Sequence, residues 1–359
     1  GKNFPHEYPD TLPPVIELDP GTPTGLTFGY GAAFPARFQE ALYVCDWSRS
    51  SIDAIHLVPE GSTYRGEREA FVRGPGLHVT DIAIASDGAM YFTTGGRGKA
   101  SGLWRVRYTG DEDTAPAARQ PLAPDLARKH SLLQRLGNLQ SVENPQVIAT
   151  AWPSLRDSDR SIRYAARTAI EHHAPDRWLG RYGSEKDANA ILELSVALAR
   201  SGTPEHQSAV IDKLASLDFE QLNPMQKIAF LRAHGLAFIR LAPPSGDQSA
   251  ALIAQLTSHF PSDEAALDLE LSRMLIYLQA PGSIETSLRL LDRSGTGPSA
   301  SAYASFLASA KHDWTAEEKT NYLAWFDSVD SHPFSPSTRS FLGQIRAEFL
   351  RGKATESHE

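Results

Sequence analysis

Residues 79–110 read VTDIAIASDGAMYFTTGGRGKASGLWRVRYTG, and their alternation decides what the front of the chain is. Val79-Thr80-Asp81-Ile82-Ala83-Ile84 alternates out and in, the period of a half-buried strand. Asp87-Gly88 is a hairpin turn pair, and residues 89–94 return as a second strand. The Gly-rich stretch from Gly95 to Gly102 leads to a third strand over residues 103–108. Three short antiparallel strands with tight turns predict one blade of a β-propeller, a strand short of the usual four.

A similar unit lies upstream. Residues 25–29, 41–47, 52–57 and 69–72 read as strands, with a turn at Ser48-Arg49-Ser50-Ser51. Leu42-Tyr43-Val44 aligns with Met90-Tyr91-Phe92, and Ile52-Asp53-Ala54-Ile55 with Leu103-Trp104-Arg105-Val106. A repeat of about fifty residues is what successive blades give. Residues 1–110 are therefore expected to form a partial β-propeller of about two blades, the remaining blades lying outside this sequence. Pro5, Pro9, Pro13, Pro14, Pro20 and Pro23 predict an extended beginning, with Val15 to Leu18 as a short edge strand.

Residues 111–124 are acidic, then rich in Pro and Ala, and read as a linker. From Asp125 the apolar spacing becomes helical, beginning with Leu126, Leu132, Leu133 and Leu136. Asn144-Pro145, Thr203-Pro204 and Asn223-Pro224 pair an N-cap with proline at the first helical position, and Thr315 to Glu318 is a capping box. Residues 159–166, DRSIRYAA, resemble a HEAT-repeat helix, in which Asp and Arg bond between repeats. The expected architecture over residues 125–352 is an α-solenoid of HEAT/ARM-like helical repeats, with a disordered tail at 353–359.

The chain has 359 residues and a formal charge of −8, from 35 basic and 43 acidic side chains. That balance disfavours nucleic acid or an anionic membrane as partner, and no apolar run approaches a membrane span. One cysteine, Cys45, excludes an internal disulfide, and its apolar strand predicts core packing. The absence of CxxCH excludes haem attached to this chain.

The candidate binding residues sit at turns. Arg97, in the Gly-rich loop, would meet an anionic ligand if the loop faced a central channel, or would otherwise sit in a solvated β-turn. Asp46 and Arg49 occupy the matching turn upstream with Trp47, where Asp46 alternatively caps the turn. Asp81 flanks the innermost strand with His78. The helical histidines (His172, His173, His206, His234) read as solvated or packed, Asp111-Glu112-Asp113 lacks a calcium loop's spacing, and no catalytic or metal constellation follows from spacing. Trp152, Trp178, Trp314 and Trp325 read as inter-helix core.

The stretches 41–48, 79–84, 87–96 and 101–106, with Ile162 to Arg167 and Glu270 to Leu278, resemble large multidomain dehydrogenase-like proteins of planctomycetes and verrucomicrobia. In that family a quinoprotein glucose/sorbosone dehydrogenase-type propeller precedes a helical-repeat region, often followed by a c-type cytochrome domain. The resemblance implies a fragment of a periplasmic or otherwise extracytoplasmic dehydrogenase-like protein oxidising carbohydrates or alcohols and passing electrons to a cytochrome. Pyrroloquinoline quinone and calcium would then bind the whole protein, whose earlier blades and cytochrome domain would be this chain's partners. Arg97, Asp46, Arg49 and Asp81 are rim positions only, and no catalytic residue carries over. The alternative is a non-catalytic scaffold binding protein or polysaccharide on its helices.

Overall fold

A computed structural model describes residues 6–118, 121–140, 144, 146–297, 299–311 and 314–356, with side chains described as far as residue 351. Two compact units share the chain. One holds the sheets and comprises residues 11–140 and 157–169. The other comprises residues 7–10, 146–156 and 170 onward.

In the first unit β1 (Pro23–Phe28), β2 (Leu42–Asp46), β3 (Ser51–Glu60) and β4 (Thr63–Arg73) form a sheet in sequential order, with α1 (Ala36–Gln39) between the first two. A second sheet contains β5 (Val79–Ile84), β6 (Met90–Gly96) and β7 (Lys99–Val106). Every pairing is antiparallel. Alternating residues of both sheets meet in one core that includes Tyr43, Cys45, Ile52, Ala54, Val79, Ile82, Met90 and Phe92. Burial pushes the Cys45 thiol up to about 12, with Asp81 adding to the effect, so it packs as an inert apolar group.

The propeller expectation is corrected by this topology. The sheets have four and three strands, both are open, and they form no propeller. Period-two alternation and turn pairs specify antiparallel meanders, which are common to many all-β arrangements; ring closure is written in none of them. The outer strand β7 instead leaves Leu103 71% and Trp104 48% exposed. The predicted strand at Val15 to Leu18 is likewise absent, although the Val15 carbonyl accepts the Gly66 amide at 2.8 Å. The β3–β4 hairpin runs longer than predicted, to a tight turn at Gly61-Ser62 where Gly61 takes φ +58°.

Helices α2 (Pro124–Leu139) and, through Ala169, α4 (Arg160–Glu171) belong to the sheet unit, while α3 (Gln146–Ala151) belongs to the other. Asp159 of the HEAT-like segment lies 4.0 Å from the Lys129 ammonium of α2, but its hydrogen bonds are made elsewhere. Its carboxylate accepts the Ser62 amide at 2.7 Å and hydroxyl at 3.0 Å, and also the Ser161 amide at 3.0 Å. It therefore caps α4 and pins the tip of the hairpin together.

The second unit continues with α5 (Leu179–Ser184), α6 (Ala188–Ser201), α7 (Gln207–Ala215), α8 (Pro224–Arg240), α9 (Gly246–Leu256), α10 (Ala265–Tyr277), α11 (Ser283–Ser294), α12 (Ala300–Ala308), α13 (Ala316–Val329) and α14 (Pro336–Glu356). Alternate helices stack: α6 on α8, α8 on α10, α10 on α12 and α12 on α14. Helix α6 is buried on all sides from Ala190 to Ala199, as its unbroken Ala/Leu composition requires. Asn223, Ser245 and Thr315 close capping boxes with Gln226, Gln248 and Glu318, fixing where α8, α9 and α13 begin. Pro145, expected to open a helix after Asn144, lies outside the described residues. Helix α14 carries the chain into the stretch read as a tail, of which residues 357–359 are not described.

Candidate functional site

The turn between β2 and β3 is built on Asp46. One of its carboxylate oxygens accepts the Thr22 amide at 3.2 Å, the Ser48 hydroxyl at 2.9 Å and the Arg49 amide at 2.9 Å. Burial alone would raise this carboxyl, but the two amides and the hydroxyl outweigh it and hold it below the usual carboxylate range. The Arg49 guanidinium turns to Asp19 at 2.9 Å, which Arg68 also holds at 2.9 Å. Arg68 and Arg73 both pair with the buried Asp53, so the ionic row continues across β3 and β4.

Arg97 sits at φ +50° in the two-residue turn between β6 and β7, with Gly98 at +75°. Its guanidinium lies 5.4 Å from the Trp47 ring centre. The Trp47 indole donates to the Gly95 carbonyl at 2.6 Å, and the His78 imidazole stands 4.5 Å from it. Asp81, exposed on β5, accepts its neighbour Ile82's amide at 2.9 Å. Gly25 passes so close that an added Cβ would stand 2.6 Å from that carboxylate.

Trp47, His78 and Arg97 are thus gathered, and Asp46 is joined to Arg49; Asp81 stands on the strand that contacts β1. Asp46 accepts the bonds that shape its turn, while the Arg49 guanidinium pairs outside it with Asp19. Among the described residues no group of three or more His, Cys, Asp or Glu is placed to hold a metal.

A larger site, missed from the sequence, lies in the helical unit. A groove of about 700 Å³ runs among α8, α10 and α12. Its apolar lining includes Phe238, Met274 and Phe306, and it exposes Ile239 by 79% and Tyr277 by 50%. Arg232, Arg273 and Lys311 are its charged residues, and no carboxylate is among the described residues lining it. Helical spacing puts Arg232, Gly235 and Ile239 on one face of α8, and Arg273, Met274 and Tyr277 on one face of α10.

The two arginines also hold the segment Glu7–Asp10. Tyr8 is 3% exposed, and its hydroxyl donates to Glu270 Oε1 at 2.5 Å. Arg232 grips Asp10 with two bonds of 3.0 and 2.7 Å while its guanidinium lies 4.4 Å from the Tyr8 ring centre. Arg273 stands 5.6 Å from the same ring and pairs with Glu270. Burial raises both the Tyr8 phenol and the Glu270 carboxyl; Glu270 lifts the phenol further, and Arg273 and Tyr8 partly restrain the carboxyl. The prolines predict extended backbone here, but residues 6–11 run in turns and bends, and the segment's anchors lie more than two hundred positions away, beyond any local signal.

Comparison with family models, with curated proteins and with solved structures returned no match. No helix among the described residues is long and apolar enough to cross a membrane.

Proposed function

We propose that the helical unit is a recognition scaffold that binds an extended segment of another polypeptide in the groove of α8, α10 and α12. The observation that carries this reading is the groove's make-up: an exposed apolar floor with only cationic charged residues, in a chain of net charge −8. Aliphatic groups such as Ile239 and Met274 suit peptide side chains better than a sugar, which would stack on an open aromatic platform. The test is selection from a displayed peptide library on the whole chain, repeated on Ile239→Asp. Enrichment that Ile239→Asp abolishes is expected. Equal enrichment on both proteins, or none on either, would reject the reading.

A second reading follows from the exposed Leu103 and Trp104 on β7 and Leu26, 65% exposed, on β1. Apolar side chains left open on β1 and β7 favour cover by further protein. In this reading the chain is part of an extracytoplasmic dehydrogenase-like protein oxidising carbohydrates or alcohols. A c-type cytochrome domain would accept the electrons, and quinone and calcium would be held by residues of other domains. Dye-linked sugar oxidation by the multidomain protein supplied with pyrroloquinoline quinone and calcium tests it; no cofactor uptake would reject it.

A further inference from the structure

We infer that Arg232, Arg273 and Glu270 form a specificity pocket for an aromatic residue followed two positions later by a carboxylate. Tyr8 and Asp10 fill it in the resting molecule, and a partner polypeptide carrying the same motif displaces them. The inference rests on the groove reading above, since Arg232 and Arg273 line both the groove and this pocket.

The geometry supplies each part of the recognition. The aromatic ring lies against two guanidinium groups, at 4.4 and 5.6 Å. The phenol has a dedicated acceptor in Glu270 at 2.5 Å, so tyrosine fits better than phenylalanine. The carboxylate two residues on receives the paired donors of Arg232, a planar match that lysine would not reproduce. Pro9 lies between them, and its ring fixes one backbone angle of the turn that presents both side chains. These contacts come from side chains of α8 and α10, with Arg200 of α6 a further 3.9 Å neighbour of Asp10, and do not depend on how the segment connects to the rest of the chain. The same motif in trans would therefore make them equally well. Continuity with the apolar groove gives such a partner additional surface that Glu7–Asp10 does not use.

A tethered occupant lowers apparent affinity for a free one by the fraction of time the pocket stands open. A segment seated nine-tenths of the time would weaken a competitor about tenfold. The probe is a fluorescein-labelled peptide of residues 6–12, HEYPDTL, followed by anisotropy against the whole chain. The double variant Tyr8→Ala/Asp10→Ala is expected to bind it at least about tenfold more tightly than the unaltered protein. A peptide with alanine at both motif positions should bind neither protein, and adding Arg232→Met to the double variant should abolish binding. Equal affinity for both proteins, or binding indifferent to Arg232→Met, would overturn the inference.

Should the double variant fail to fold, the unaltered protein gives the answer by hydrogen exchange with an isotopically heavy peptide. Faster exchange of residues 7–10 at saturation supports displacement, and unchanged protection refutes it. A dimer of the unaltered chain that the double variant cannot form would make a second copy the occupant, and would overturn the assignment to a foreign partner. If library peptides depend on Ile239 but not on Arg232, the groove reading stands and only this inference falls.

Discussion

Replacing Glu185 by glutamine should remove one of the largest single polar contributions to the helical unit. Its carboxylate is 3% exposed and receives the Trp152 indole at 2.7 Å. Arg156 reaches both oxygens, at 2.8 and 3.0 Å, and the amides of Lys186 and Asp187 donate at 2.8 and 3.0 Å. Burial works against the charge, but the Asp187 and Lys186 amides, Trp152 and Arg156 prevail and bring the carboxyl down to about 2, from an ordinary 4.5. That displacement corresponds to about 3 kcal/mol in favour of the charged form. Glutamine keeps one acceptor but turns an NH₂ toward donors, so Glu185→Gln should cost about 2–3 kcal/mol at pH 7. Urea unfolding followed by far-ultraviolet circular dichroism should show the midpoint falling by about 1 M or more. A folded pKa below the unfolded one means stability is present above about 4.5 and is lost as pH falls toward about 2. The variant should lack that acid-sensitive portion. A cost under about 1 kcal/mol, or an unchanged acid limb, would refute the idea that these donors act on a charged carboxylate.

Three further outcomes follow from the same kind of accounting. His234 is wholly buried in α8, where burial lowers its imidazole to about 4 despite the Phe230 carbonyl at 3.0 Å. The unfolded chain therefore takes up the proton first: stability is complete above about 6.5 and should drop by about 2 kcal/mol by pH 5, a loss that His234→Phe should flatten in unfolding curves taken at both pH values. Asp159→Ala should cost about 1–2 kcal/mol and speed hydrogen exchange at the amides of Ser62 and Ser161, while leaving those of β6 protected. Ser245→Ala opens the capping box of α9 and should lower stability by about 1 kcal/mol, read as a lower thermal midpoint that Ser245→Asp restores.

The order of strands and then helices was legible because it depends on local periodicity. Asp87-Gly88, Asn223-Pro224 and Thr315 to Glu318 each carry their structure within four residues. What failed was non-local. The propeller expectation took the same alternation that builds β5–β7 and assigned it a ring closure that no local pattern encodes. Asp159 looked like a repeat signature, yet its bonds go to a hairpin about a hundred positions earlier. At the turns, the cap at Asp46 is local, since its carboxylate folds back on the Ser48 hydroxyl and the Arg49 amide. The groove was not visible because its lining comes from several helices and the loops between them, and its cationic residues look like ordinary solvated arginines and lysine in the sequence.

The tyrosine at position 8 and its acceptor at position 270 are separated by 262 residues. Translation at 5–20 residues per second would leave that phenol waiting roughly 13–50 s before a ribosome delivers its partner. Through that interval an aromatic, proline-stiffened, acidic stretch stands open to chaperones and proteases. Its docking is among the late closures of the chain, so cleavage within residues 7–10 during synthesis would report molecules whose eighth and tenth helices have yet to assemble.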